Sequence, residues 1–168
     1  MLWSLTHTSY AKFAKLWLFT YAFLLCLPSE ALPAFAGRGD HQSSVFMEGD
    51  TIVLVLKRRK NKPGGSRLVR TCWCSESKAT CPVHQFGGML RECAGQQLFE
   101  GITAASALAA LREMLEGLSV PNAASYRTHD FRRGHALDLQ LSGARLRCAE
   151  SSECTLCLVL QVRLYGNF

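Results

Sequence analysis

From Leu16 to Leu27 the chain carries an apolar run with no charged residue. A run that is apolar all round predicts a central core helix rather than an amphipathic one, ended or kinked by Pro28. Residues 37–50 hold Gly37, Gly39, Asp40, Ser43, Ser44, Gly49 and Asp50 and read as a loop. Thr51–Leu56 is apolar and β-branched, which predicts a strand. Lys57–Gly65 then makes a basic turn, and Ser66–Cys74 the return strand of a hairpin. Residues 93–99 are polar and carry no assignment. Thr103–Leu118 predicts the strongest helix: Leu108, Leu111, Leu115 and Leu118 keep the 3–4 spacing, Thr103 is its N-cap, and Gly117 or Ser119 marks its end. After a loop at Pro121–Ser125, a second helix is expected over His129–Leu141, stopped by Ser142-Gly143, with Asp130 favouring its N-terminal dipole. Cys154–Leu164 reads as a strand or a short apolar tail.

This order of elements is α+β, mostly helical, with a small β-hairpin sheet. The 168 residues are enough for one domain with a real core, and 48% hydrophobic residues argue against disorder. A net charge of +6 and a pI near 9 suit a polyanionic partner. The basic residues gather at 57–70 and 127–147, which sharpens that expectation to nucleic acid.

The eight cysteines allow two opposed readings. Lys12 and Lys15 before the apolar run, with Ala34-Phe35-Ala36 after it, resemble a secretory leader. A secreted, cysteine-rich protein is therefore the alternative to a nuclear or intracellular one. Cleavage there would remove Cys26 and leave an odd count, which fits a closed disulfide set badly. The run is about twelve residues, short of the roughly twenty that span a bilayer, so no membrane role is expected. Arg38-Gly39-Asp40 is a cell-adhesion-like triplet that arises readily by chance.

Cys72-Trp73-Cys74 and Cys81-Pro82-Val83-His84 form a C-x-C-x6-C-x2-H pattern. Cys72, Cys74, Cys81 and His84 are four soft or borderline donors that could close a tetrahedral, structural zinc site. A zinc-stabilised nucleic-acid-binding module without catalysis is a reading that follows from this cluster and the basic hairpin.

Residues 126–136 pack two histidines and three arginines before an apolar stretch. His129 and Arg132 stand three apart and share a face of a helix start. A guanidinium grips phosphate oxygens, and an imidazole exchanges protons near neutral pH. The segment THDFRRGHALDLQLSGARL, residues 128–146, resembles the second signature box of tyrosine recombinases, the phage-integrase family, most closely its eukaryotic mobile-element branch. TYAFLLCLPSEALP and LVLKRRKNKPGGSRLVRTCWC…CPVH resemble the same branch, in the same order.

The resemblance implies a recombinase catalytic core over 15–146, an N-terminal extension over 1–14 and a divergent tail over 147–168, so that the core is incomplete at its C-terminus. It implies double-stranded DNA as partner, copies assembling on DNA, and no required cofactor. Carried over, the catalytic set is Lys60 (with Lys57 as second choice), His129, Arg132 and Tyr165, which lies 33 residues after Arg132. Lys57, Arg58, Arg59, Lys62, Arg127 and Arg133 would hold the DNA backbone. The chain departs from the family at Cys26, where the relatives carry the first catalytic arginine before Pro-Ser-Glu. It departs again after Leu146, where the residues around Tyr165 do not match. The expected activity is DNA binding with weak or absent strand cleavage.

Overall fold

A helix with almost no exposed face lies at the centre of the molecule. It is α1, Ala11–Ala22, in a computed structural model that describes residues 10–39, 42–59, 62–72, 78–79 and 81–141. Ala14, Leu16, Trp17, Leu18, Phe19, Thr20 and Ala22 are all buried, as an all-round apolar run requires. Thr20 satisfies its hydroxyl locally by donating to the Leu16 carbonyl at 2.8 Å.

The helix stops well before Pro28. Leu24 takes a left-handed conformation, φ +55°, and the Leu25 N–H turns back to the Thr20 carbonyl at 3.0 Å. That six-to-one bond is a Schellman ending, with leucine where glycine is usual. Pro28 falls instead in a wide turn, Leu27–Ala31, closed by Ala31 N–H to Cys26 O at 3.3 Å and Leu32 N–H to Leu27 O at 3.0 Å.

The sheet has the order β1-β2-β3-β4. The expected hairpin is present as β3, Thr51–Leu56, and β4, Ser66–Thr71, antiparallel, with Val53 opposite Val69 and Leu56 opposite Ser66. The stretch expected as loop contains a strand, β2, Ser44–Glu48. It pairs antiparallel with β3, Glu48 facing Thr51. Gly49-Asp50 is thus a two-residue hairpin turn, with Gly49 at φ +56°. A short β1, Phe35–Ala36, runs parallel to β2.

One sheet face, with Val45, Ile52, Leu54 and Leu56, meets α1 and the helix α2, Pro82–Glu92. Phe19 sits at the junction, its ring 5.2, 5.4 and 5.6 Å from those of Phe23, Phe86 and Phe99. A third helix, α3, Ala104–Gly117, begins at the expected Thr103 with a capping box: Thr103 Oγ1 accepts from Ser106 N–H at 3.0 Å, and Ser106 Oγ accepts from Thr103 N–H at 3.0 Å. Its buried positions are Ala107, Ala110, Leu111 and Met114, and Leu118 is exposed. The leucine stripe read from the sequence is therefore displaced toward smaller residues, because α1 comes close. The last described helix, α4, Asp130–Leu141, starts within a residue of the expected position. It docks on α1 through two stacked ring pairs, Trp17 with Phe131 at 5.9 Å and Tyr21 with His135 at 4.6 Å.

The architecture is α+β, helices packed with a four-stranded mixed sheet. No described helix is long and apolar enough to cross a membrane.

Candidate metal centre and basic hairpin

Cys72 follows directly on β4, and its N–H is held by the Asp50 carbonyl at 3.0 Å. Cys81 is the N-cap of α2, in an extended conformation (φ −78°, ψ 118°), with Pro82 in the first turn, where its missing N–H costs nothing. His84 lies in that same first turn. Strand end and helix start thus bring three donors together: their ligand atoms all lie within 4.8 Å of one another. Cys72 Sγ is 3.8 Å from Cys81 Sγ and 3.6 Å from His84 Nδ1. A tetrahedral zinc with bonds of about 2.3 Å to sulfur and 2.0–2.1 Å to nitrogen has ligand–ligand edges of roughly 3.8 and 3.6 Å. The donor set and both edges fit such an ion, so this group could hold a metal. Cys81 is buried, Cys72 half-buried and His84 exposed, so the site faces outward along the helix start. The fourth expected donor, Cys74, lies outside the described residues.

At the far end of the same hairpin, Arg59 and Lys62 exchange backbone hydrogen bonds at 3.2 and 3.1 Å. Lys57, Arg58 and Lys62 are exposed, and among the described residues none of them is in an ion pair. Gly65 closes the turn at φ +78°, where a Cβ would stand 2.1 Å from the Leu56 carbonyl oxygen. Only glycine meets both conditions. Arg59 turns inward. Its Nε donates to Glu30 Oε1 at 3.1 Å, and its Nη2 reaches the Leu24 carbonyl at 3.4 Å. Glu30 Oε2 also accepts the Cys26 N–H at 2.7 Å. Lys60 lies outside the described residues.

No match to this chain is found among known protein families, curated proteins or solved structures.

His129 is exposed and immediately precedes α4, its carbonyl accepting the Arg132 N–H at 3.1 Å. Arg132 is half-buried on the first turn. Asp130 accepts the Arg127 N–H at 2.8 Å and lies 3.9 Å from the Arg133 guanidinium, which fixes the start of the helix. Among the described residues no hydrogen bond or ion pair joins His129 or Arg132 to Cys26, Glu30 or Arg59. The rings that dock α4 meet α1 at Trp17 and Tyr21, whereas Cys26 follows the end of that helix. Tyr165 lies outside the described residues.

Sequence reasoning passed over a second buried polar group. His135 is fully buried, and its Nδ1 donates to the Tyr21 carbonyl. The Tyr21 hydroxyl donates to Asp138. Burial pushes the His135 pKa down, opposed by the Tyr21 carbonyl; nearby Arg70 adds to the lowering and Asp138 opposes it. Burial, then the bond to Asp138, lifts the Tyr21 pKa above that of an ordinary tyrosine. Arg70 belongs to the basic 57–70 cluster yet is buried, donating to the Ala22 carbonyl at 2.7 Å with its guanidinium 5.2 Å from the Phe23 ring centre.

Proposed function

We propose that this protein binds double-stranded DNA through the basic turn of the β3–β4 hairpin and the start of α4, in the manner of a tyrosine-recombinase-type domain with weak or absent strand cleavage. One observation carries the proposal: Lys57, Arg58 and Lys62 stand exposed, outside any described ion pair, beside the turn that Gly65 closes at a positive φ. Other basic side chains of this part of the chain, Arg38, Arg59, Arg67 and Arg70, are engaged with carboxylates or carbonyls. Exposed cations outside any described ion pair suit phosphate contacts, which give affinity without sequence preference. Arg127 and Arg133, both exposed at the start of α4, would add phosphate contacts in this reading, as would Lys60 by its place in the sequence. The recombinase component rests on the three motifs. The expectation of weak or absent cleavage rests on Cys26, whose thiol cannot supply a charged fork to a phosphate. His129, Arg132 and Tyr165 keep their catalytic assignment from the resemblance alone, as does assembly of several copies on DNA.

Cys72, Cys81 and His84 hold a structural zinc in this reading, with Cys74 as the fourth ligand. A reduced, nuclear or intracellular setting suits such thiolates.

The test is fluorescence anisotropy with a labelled duplex at low salt, on protein whose folding is verified by circular dichroism. Binding is expected, weakening steeply with salt. Replacing Lys57, Arg58 and Lys62 together with alanine should lower the slope of log K against log salt by about 2.7, near 0.9 for each lost phosphate contact. A folded chain that ignores duplex DNA at low salt overturns the proposal.

A further inference from the structure

We propose that Cys72 and Cys81 form a reversible thiol–disulfide switch that responds to peroxide and competes with the metal for the same two sulfurs. The metal half of this inference rests on the zinc reading above. The sulfur half rests on geometry alone. Among the described residues, Cys72 and Cys81 are the cysteines whose sulfurs approach within 4 Å, at 3.8 Å. A disulfide bond is about 2.05 Å long, so side-chain rotation has to close the remaining gap. The two thiols also differ in access. Cys72 is half-buried beside an exposed His84, whereas Cys81 is 8% exposed beneath it.

The difference in access gives the order of events. The Cys72 sulfur attacks one oxygen of hydrogen peroxide, the O–O bond breaks, and Cys72 becomes a sulfenic acid while hydroxide leaves. The Cys81 sulfur then attacks the Cys72 sulfur, forming the S–S bond and expelling a second hydroxide. Two thiolates have given up two electrons, peroxide has become two waters after taking up two protons, and the metal has lost two ligands. A dithiol reductant returns both electrons and restores the site.

The switch preserves the fold. The disulfide joins the end of β4 to the N-cap of α2, the same two points that the metal joins. Oxidation should therefore release zinc without unfolding the chain.

The experiment uses the full chain, purified reduced and loaded with zinc, with metal content measured first. Stoichiometric hydrogen peroxide is added, and zinc release is followed with a chromogenic chelator. Peptide mapping by mass spectrometry then locates the linkage. The expected result is release of the bound zinc, a Cys72–Cys81 cross-link, an unchanged far-ultraviolet spectrum, and recovery of thiols and zinc binding with dithiothreitol. Cys81→Ser should leave Cys72 as a sulfenic acid that reacts with dimedone, with no cross-link at that position. A cross-link from Cys72 to a different cysteine, over-oxidation without any cross-link, or zinc retained through oxidation overturns the proposal. A chain that never binds zinc yet forms the Cys72–Cys81 link refutes the metal reading and leaves the sulfur pair standing.

Discussion

Glu30 and Arg59 lie 29 residues apart in the chain and meet at 3.1 Å, with side-chain exposures of 6% and 20%. The pair ties the root of the basic turn to the wide turn after α1. Its carboxylate does two tasks, accepting from Arg59 and capping the Cys26 N–H. Removing one partner of a pair this buried leaves the other's charge uncompensated. Glu30→Ala is expected to destabilise the chain by about 3 kcal/mol. Glu30→Gln keeps an acceptor for Cys26 and should cost about half as much. Urea-unfolding midpoints of the two variants check the order, and equal values would show that the charge contributes nothing.

Gly64 and Gly65 are adjacent, yet a Cβ meets nothing within 4 Å at the first and the Leu56 carbonyl at the second. Gly64→Ala should be near neutral. Gly65→Ala should cost about 2 kcal/mol, from the positive φ and the backbone collision together. If the hairpin turn presents cations to DNA, Gly65→Ala should also weaken duplex binding measured on the folded fraction, whereas Gly64→Ala should not.

Leu24 ends α1 at a positive φ with a branched side chain. Leu24→Gly removes that penalty at a helix C-terminus that already has the right hydrogen bond, and should stabilise the chain by about 0.5–1 kcal/mol. The gain is read as a higher thermal midpoint. A loss would mean that the Leu24 side chain contributes more packing than its conformation costs.

His135 makes stability depend on pH. Its folded pKa lies below its ordinary value of 6.5, so the unfolded chain binds a proton more readily than the folded one. The contribution of this group is complete above 6.5 and is lost as pH falls below it. Unfolding free energy should therefore drop between pH 7.5 and 5.5. The groups facing His135 are Tyr21 from α1, Arg70 from β4 and Asp138 from its own helix. His135→Phe keeps a ring against Tyr21 and should flatten the profile. A profile unchanged by that substitution would assign the pH dependence elsewhere.

Phe19 tests the core. It touches rings from α2 and from the loop before α3 as well as its neighbour Phe23. Phe19→Ala is expected to cost about 3–5 kcal/mol, measured by denaturant unfolding. A much smaller value would show that the three remaining rings collapse into the space.

The readable parts of this fold were those with a strong local signal. The β3–β4 hairpin followed from an apolar run, a basic turn and two glycines, and Thr103 from its capping chemistry. The α2 helix went unread although Val83, Phe86 and Leu90 keep the i, i+3, i+7 spacing and Pro82 marks its start; Gly87 and Gly88 in its middle weaken the local helix signal. The strand β2 was hidden by flanking serines and glycines, and only its pairing with β3 reveals that Gly49-Asp50 is a turn rather than part of a long loop. In the group that could hold a metal, spacing alone named Cys72, Cys81 and His84, since these donors lie close in sequence. Arg59 and Arg70 looked like members of one basic cluster. Their partners, Glu30 and Ala22, lie tens of residues away, and no local pattern points to them.

The central position of α1 also bears on how the chain is made. Its apolar surface leaves the ribosome before the other described elements that cover it, the last of which, α4, begins at Asp130. At about 5–20 residues per second, α1 waits roughly 5–22 seconds for α4 to begin to emerge. During that interval the nascent chain displays a greasy segment that either finds a chaperone or risks meeting another copy of itself.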